Sequence, residues 1–161
     1  MVAIEPAHEN IVCLRRNFAE EIAAGKIVIY EKGVWDREDL LTLRISPDNS
    51  AADTFVLHQE GSIEGSQVPV TTVDRLVSEL KLTRVDFIKM DVEGSEQKAL
   101  AGARLTLSKY HPRMAISAYH LADDPERIPV IVRQIWPGYK MECGPCAETR
   151  GRIRPDVLYF H

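Results

Sequence analysis

The chain has 161 residues, of which 45% are hydrophobic, and a formal net charge of -4. A chain of this length and apolar content can bury a core, which argues against disorder and predicts a single domain over residues 1–161. Its acidic balance argues against nucleic acid as the main partner, since phosphate backbones are usually bound by a basic face. No apolar run is long enough to span a membrane, and the N-terminus lacks a signal-peptide pattern. We therefore expect no membrane partner and a cytoplasmic location.

The N-terminal segment predicts a strand, an amphipathic helix and a second strand. Val2–Ile4 is a short apolar run that ends at Glu5 and Pro6. A helix should follow, because apolar residues recur on one face, and Gly25 can end it. The apolar face consists of Ile11, Leu14, Phe18 and Ile22. Ile27–Tyr30 is apolar and rich in β-branched residues, which is typical of a strand.

The position of Glu5 at the end of a strand suggests a role in nucleotide binding. In nucleotide-binding α/β folds, an acidic residue at this position accepts hydrogen bonds from ribose hydroxyls. The alternative is that Glu5 is only the solvated end of a strand. The glycines include no G-x-G cluster, and no strand with a glycine loop precedes Val2. Such a loop normally allows the backbone to approach a nucleotide cofactor closely.

The middle of the chain predicts an edge strand, a long loop and a helix. Leu41–Ile45 alternates apolar and polar residues, as edge or hairpin strands do. Ser46–Gly65 is rich in polar residues and glycine, so it predicts a long loop with one short strand near Phe55–Leu57. Thr71 and Asp74 have the spacing of a capping box at the start of a helix. The residues of that helix predicted to point inward are Val73, Leu76, Val77 and Leu80.

The segment Val85–Leu100, VDFIKMDVEGSEQKAL, carries the strongest chemical signal. An apolar run predicts a buried strand; Asp91 and Glu93 follow it, and a helical pattern begins after Gly94. Open α/β sheets bind ligands at the carboxyl ends of their strands, so the two acids predict a functional site. The alternative is that Asp91 and Glu93 have only a structural role and stabilise the start of the helix, where the helix dipole attracts negative charge. Strand alternation directs Lys89 and Asp91 to one side, where they could form an ion pair.

The C-terminal third predicts a further buried strand and a final antiparallel pair. Met114–Ala118 should lie beside the strand that ends at Asp91, so that His120 reaches the same sheet edge. His120 is then a candidate base, although a lone histidine is more often a structural group. Tyr139–Cys143 and Asp156–Phe160 are strands joined by a connection without a helical pattern, so they should pair antiparallel.

Cys143 and Cys146 form a C-x-x-C motif. This motif is redox-active when its first cysteine lies at a helix N-terminus, where the dipole stabilises the thiolate. The segment that follows, Ala147–Pro155, has no apolar helix face, so we predict a surface hairpin without a redox role. Tetrahedral zinc would need two further ligands, and only Cys13 remains among the cysteines. We therefore expect no metal site.

Four segments, in order along the chain, resemble those of one protein family. The segments are VDFIKMDVEGSEQKALAGA, VAIEPAHEN, KGVWD, and MAISAYH together with IPVIVRQIWPGYKM. They resemble segments of the FkbM-type methyltransferases, which use S-adenosylmethionine. VDFIKMDVEGSEQKALAGA resembles the family's signature segment, and VAIEPAHEN resembles its second strand with the following helix start. KGVWD resembles the segment after the third strand, and the last two segments resemble the C-terminal pattern of one subgroup. The resemblance implies an α/β, Rossmann-like fold of the class I methyltransferases, with a mostly parallel sheet and an antiparallel last strand.

The resemblance also implies roles for individual residues. The implied cofactor-binding residues are Glu5 and Pro6 near the ribose, Gly33, Val34 and Trp35 near the adenine, and Asp91. The residues implied at the methyl-transfer site are Asp91, Glu93, His120 and Lys89. Family members are usually linked to O-methylation of sugars, polyketides or lipids, so the expected partner is a small-molecule hydroxyl acceptor. Asp91 or His120 would take the hydroxyl proton.

The family's first strand and its glycine-rich loop would precede Val2, so we expect this chain to lack its N-terminal βα unit. The strands ending at Glu5 and Asp91 would then expose unpaired edges, which favour self-association. Cofactor binding by the isolated chain should be weak for the same reason. The alternative function is a non-catalytic binding or assembly module that retains the fold.

Overall fold

The computed structural model describes residues 1–58, 61–149 and 151–161, and it shows an α/β fold with mixed sheets. The helices are α1 (His8–Asn17), α2 (Ala19–Ala23), α3 (Val73–Glu79), α4 (Glu96–Ala101), α5 (Arg104–Tyr110) and α6 (Asp124–Ile135). The strands are β1 (Val2–Ile4), β2 (Val28–Tyr30), β3 (Gly33–Val34), β4 (Asp39–Ile45), β5 (Ile63–Thr71), β6 (Phe87–Met90), β7 (Arg113–Ser117), β8 (Met141–Cys143), β9 (Cys146–Thr149), β10 (Arg152–Pro155) and β11 (Val157–Phe160). No helix of the described residues is long and apolar enough to cross a membrane.

The sheet that positions the site has the strand order β6-β7-β11-β8. β6 and β7 are parallel, and their register pairs Met90 with Ile116. β11 lies between β7 and β8 and is antiparallel to both, which confirms the predicted pairing of the last two strands. β1 and β2 form a separate parallel pair. The described residues therefore do not join all the parallel strands into the one continuous sheet that the resemblance implies.

The core lies between this four-stranded sheet and helices α4, α5 and α6. Its largest fully buried apolar side chains are Leu100, Leu107, Met114, Ile116, Ile128, Val132, Leu158 and Phe160. Six of the eight come from the predicted helix after Gly94 or from predicted strands, and Ile128 and Val132 come from α6. Helices and a sheet must bury such apolar faces against each other. This packing fixes the carboxyl ends of β6 and β7 relative to the start of α4.

Two predicted helices are each divided in two. The first divides at Phe18, and the helix after Gly94 divides at Gly102. A Cβ at Gly102 would overlap the backbone carbonyl oxygen of Trp35, so only glycine allows this close approach. The carboxylate of Asp74 then caps α5, accepting hydrogen bonds from the backbone of Leu105 at 2.9 Å and of residue 106 at 2.7 Å.

The predicted loop Ser46–Gly65 is shorter in the structure, and its residues 59 and 60 lie outside the described residues. The prediction of a short strand near Phe55–Leu57 is wrong. The chain bends there, and only an isolated bridge between Arg44 and Thr54 forms beside it. β5 instead begins within the predicted loop. Its polar sequence does not indicate a strand, but backbone hydrogen bonds to β4 hold it extended. The predicted cap is also wrong by one residue, because the hydroxyl of Thr72, not Thr71, accepts the hydrogen bond that starts α3.

The cysteine motif lies in the predicted surface hairpin. Cys143 ends β8, and Cys146 begins β9, which pairs antiparallel with β10. Both thiols are free and exposed. No helix N-terminus follows Cys143 in the described part of this segment, so the thiolate lacks the dipole that a redox pair needs.

Candidate active site

A cleft of about 660 Å³ lies between β1 and β6. Glu5, at the carboxyl end of β1, lines one side, and Asp91 and Glu93, at the carboxyl end of β6, line the other. The other predicted residues that line it are Pro6, Gly33, Val34 and Lys89. The structure therefore brings most of the predicted cofactor-binding and catalytic residues to one cleft, at the carboxyl ends of strands where α/β folds bind ligands.

Trp35 lies beside this cleft and is not among the described residues that line it. Its ring meets the edge of Phe55, which does line the cleft, with 6.3 Å between ring centroids. The ammonium of Lys98 lies over the indole ring of Trp35, 5.6 Å from its centroid. A contact between Trp35 and an adenine ring stays a prediction.

His120 lies behind the cleft, where the parallel pairing of β6 and β7 places it among three carboxylates. Its Nε2 is 3.3 Å from Oε1 of Glu93 and 3.8 Å from Oδ1 of Asp91. Its Nδ1 is 2.9 Å from Oε1 of Glu96. The imidazole is only 3% exposed, whereas the side chain of Asp91 is 32% exposed. Asp91 is thus the member of this group that a molecule in the cleft can reach most easily.

Glu96 is a residue of the site that the sequence patterns do not predict. It begins α4 and is fully buried, and its Oε1 accepts a hydrogen bond from the backbone of Val92 at 2.9 Å. Acidic residues at helix starts are common on protein surfaces, because they interact favourably with the helix dipole. The sequence indicates Glu96 only as the third acid in D-V-E-G-S-E. Its burial depends on packing against His120 in the folded chain, so it cannot be inferred from the sequence.

The turn after β6 holds the carboxylate of Glu93 in place. Glu93 has φ +50° and Gly94 has φ +92°, conformations that cost a non-glycine residue free energy. The hydroxyl of Thr54 donates to the carbonyl oxygen of Glu93 at 2.6 Å and accepts from the backbone N–H groups of Val56 and Leu57, both at 3.1 Å. One buried hydroxyl thus connects the loop before β5 to the strained turn.

The loop after β7 is held from a second direction. The guanidinium of Arg154 donates to the carbonyl oxygens of Ala118 at 2.9 Å and Leu121 at 2.7 Å. The buried carboxylate of Asp124 accepts a hydrogen bond from the backbone of Leu121 at 2.6 Å. These bonds enclose His120 in a fixed backbone segment, so its ring has little freedom to leave the carboxylates.

The charges around the imidazole shift the pKa values of the site in different directions. Burial lowers the pKa of His120, but the surrounding carboxylates outweigh burial and raise it above its ordinary value. Burial raises the pKa of Asp91, yet contacts from Ser117 and Lys89 more than offset this and leave it lowered. Lys89 forms an ion pair with Asp91 at 3.0 Å, as its strand position predicted. Burial raises the pKa of Glu93, and the charge of His120 offsets only part of that rise.

Comparison with known proteins identifies the family. The family described as "Methyltransferase FkbM domain" matches residues 1–139. The chain belongs to the FkbM methyltransferase family. The crystal structure of methyltransferase FkbM from Methylobacillus flagellatus KT is similar, with a TM-score of 0.67 and 26% sequence identity. The match covers 99% of this chain but only 36% of that one, and a search of curated proteins finds no significant match.

Membership in the FkbM family confirms the resemblance that the four sequence segments indicated. The match over residues 1–139 includes β1, β6 and β7, the three strands whose carboxyl ends carry Glu5, Asp91 and His120. The cleft is therefore part of the FkbM domain, and not a feature of a separate unit.

Proposed function

We propose that this chain forms the site of an S-adenosylmethionine-dependent methyltransferase that methylates a hydroxyl group on a small molecule, such as a sugar, polyketide or lipid. The observation that supports the proposal best is the convergence of Glu5 and Asp91 on one cleft, in a chain that belongs to the FkbM family. The match covers only 36% of the matched crystal structure, so the activity of a whole protein of this family is part of the proposal and not a finding.

The residues that line the cleft suit the parts of this cofactor. The carboxylate of Glu5 accepts a hydrogen bond from the backbone of Ala7 at 2.8 Å, which orients it, and a carboxylate can accept further bonds from ribose hydroxyls. Gly33, Val34 and the ring of Phe55 offer a largely apolar wall for a flat adenine. The carboxylates at the other end favour a positively charged sulfur.

When bound, S-adenosylmethionine would supply a methyl group on a cationic sulfur: the acceptor oxygen would bond to the methyl carbon as the carbon–sulfur bond breaks, and neutral S-adenosylhomocysteine would leave. The chain contributes positioning, which can lower such barriers by roughly 7–11 kcal/mol. Asp91 is ionised near neutral pH, because its pKa is lowered, and it lies at the cleft surface. We infer that Asp91 accepts the hydroxyl proton, a role worth about 10²–10⁴-fold in rate, with His120 behind it.

The proposal is tested by Asp91→Asn in the protein that contains this chain. Asparagine keeps the shape of the side chain but cannot accept the proton, so transfer of a labelled methyl group should fall below a tenth of its original rate, while Tm changes by only a few degrees. Asp39→Asn is the matched control, because Asp39 is an exposed acid that pairs with Arg37 away from the cleft. Retention of more than a tenth of the activity in Asp91→Asn would show that another group takes the proton.

The edges that face the cleft suggest a second candidate function, that of an assembly module. In the described residues β1 pairs only with β2, and β6 pairs only with β7, so each presents one open edge. We propose that a strand from a second copy can join them into one Rossmann-like sheet. Phe87, which is 58% exposed on β6, offers apolar surface for that contact. Light scattering should show self-association that Phe87→Lys weakens; a monomer at all concentrations would exclude this function.

A further inference from the structure

The acids and the imidazole behind the cleft form a cluster with the composition of a metal site. Asp91, Glu96 and His120 each offer one ligand atom, and these three atoms lie within 4.8 Å of one another. Metal–ligand bonds of about 2.0–2.2 Å place ligand atoms up to roughly 4.4 Å apart, so small side-chain rotations would bring all three onto one ion. Their backbone positions come from different elements: the end of β6, the start of α4 and the loop after β7.

Two members of the cluster are buried with polar atoms that lack hydrogen bonds. Glu96 is fully buried, and its Oε2 has no hydrogen-bond partner among the described residues. The imidazole of His120 is 3% exposed, and neither ring nitrogen makes a hydrogen bond to any part of the chain that the structure describes. Buried polar groups of this kind are destabilising unless something binds them, and one cation would satisfy the carboxylate and the imidazole together.

An ordinary ion pair explains this arrangement less well. The carboxylate oxygens of Glu96 and Glu93 lie 2.9 Å and 3.3 Å from the ring nitrogens, but neither contact has hydrogen-bond geometry. A protonated imidazole would also balance only one of three neighbouring acids, and Lys89 reaches only Asp91. The unpartnered Oε2 of the fully buried Glu96 and the excess of carboxylates over positive charges are what one divalent cation would balance.

We propose that Asp91, Glu96 and His120 bind one divalent transition-metal ion. An imidazole together with two carboxylates suits ions such as Mn²⁺ or Zn²⁺, whereas Mg²⁺ and Ca²⁺ prefer oxygen ligands alone. Three protein ligands leave positions open, and the partly exposed Asp91 places them toward the cleft. The chemical role of the ion rests on the proposed function: an open position would hold the acceptor hydroxyl and make its proton easier to remove. Asp91 would bind the ion through one carboxylate oxygen, and its second oxygen would remain the acceptor for that proton.

Metal uptake is measured on the chelator-stripped chain without cofactor or acceptor, so it is independent of methyl transfer. Mn²⁺ is the probe, because the exposed thiols of Cys143 and Cys146 favour softer ions, and bound ion is counted by the loss of the free Mn²⁺ electron paramagnetic resonance signal. We expect one ion per chain, and at least about tenfold weaker binding in Asp91→Asn and in His120→Gln. His8→Gln, the same change at an exposed histidine, should bind as the unmodified chain does.

Absence of Mn²⁺ uptake by the unmodified chain would overturn the site. Binding by Asp91→Asn and by His120→Gln that is as tight as binding by the unmodified chain would also overturn it. Asp91→Asn keeps the test decisive if substitutions at the buried His120 or Glu96 prevent folding, because Asp91 is partly exposed. If the ion binds but no methyl group is transferred, the proposed function is refuted and the metal site stands. If methyl groups are transferred but no ion binds, the metal site is refuted and the proposed function stands.

Discussion

The hydroxyl of Thr54 should stabilise the active-site turn measurably, and Thr54→Val removes that hydroxyl while keeping the shape of the side chain. Thr54 is 2% exposed, and its hydroxyl makes one hydrogen bond to Glu93 and two to the backbone of its own loop. The substitution leaves a carbonyl and two N–H groups without their partner. Each hydrogen bond contributes about 0.5–1.5 kcal/mol, so the three together contribute roughly 1.5–4.5 kcal/mol.

Water can replace part of this loss, because these bonds are only partly buried. We therefore expect Thr54→Val to lower the free energy of unfolding by about 2–4 kcal/mol. Thr71→Val is the matched control, since Thr71 is fully buried and its hydroxyl has no hydrogen-bond partner among the described residues. Removing that hydroxyl should leave stability unchanged or raise it by up to about 1 kcal/mol.

Urea unfolding followed by circular dichroism measures both variants under the same conditions. Thr54→Val should shift the midpoint well below that of the unmodified chain, with a fall in Tm of roughly 5–15 °C. Thr54→Ser, which keeps the hydroxyl, should recover most of the difference. If Thr54→Val is no less stable than Thr71→Val, the hydroxyl does not hold the turn at Glu93, and the reasoning about this loop is wrong.

Two further predictions concern the cysteine motif and the charge of Glu5. Changing Cys143 and Cys146 together to serine should leave Tm and any methyl transfer unchanged. The unmodified chain should not catalyse the reduction of insulin by dithiothreitol. Catalysis of this reaction that is lost when either cysteine is changed to serine would contradict the prediction. Burial raises the pKa of Glu5 above 4.5, outweighing the hydrogen bond from Ala7, so the folded chain binds more protons than the unfolded chain just above that pH. Stability relative to Glu5→Gln should therefore rise as pH falls from 7 toward 4.5. If the Tm of the unmodified chain minus the Tm of Glu5→Gln stays constant or falls as the pH is lowered over this range, the carboxylate is not desolvated.

The proximity of Asp91 and His120 could be predicted from the sequence, because the signals that place them are local. An apolar run followed by acids indicates the end of a buried strand, and two such strands in succession predict that Asp91 and His120 meet at one edge. The role of Glu96 could not be predicted, because its burial depends on packing against an imidazole from a later loop.

The segment before α3 was predicted poorly for a different reason. β5 contains Gly65 and Pro69, which normally argue against a strand, and most of its side chains are exposed. It is a strand because β4 pairs with it over most of its length, and that pairing requires no apolar pattern in the sequence of β5. The placement of Trp35 beside Phe55 and Lys98 is likewise a long-range packing result.

The measurement that tests the account most directly is the affinity for S-adenosylmethionine, by titration calorimetry, of the protein that contains this chain and of its Glu5→Gln variant. A hydrogen bond to a charged group contributes about 1.5–3 kcal/mol, so Glu5→Gln should weaken binding roughly ten- to hundredfold. Glu9→Gln, at an exposed acid in the first turn of α1, should not change it. Equal affinity of Glu5→Gln and the unmodified protein would show that the cleft between β1 and β6 is not the cofactor site.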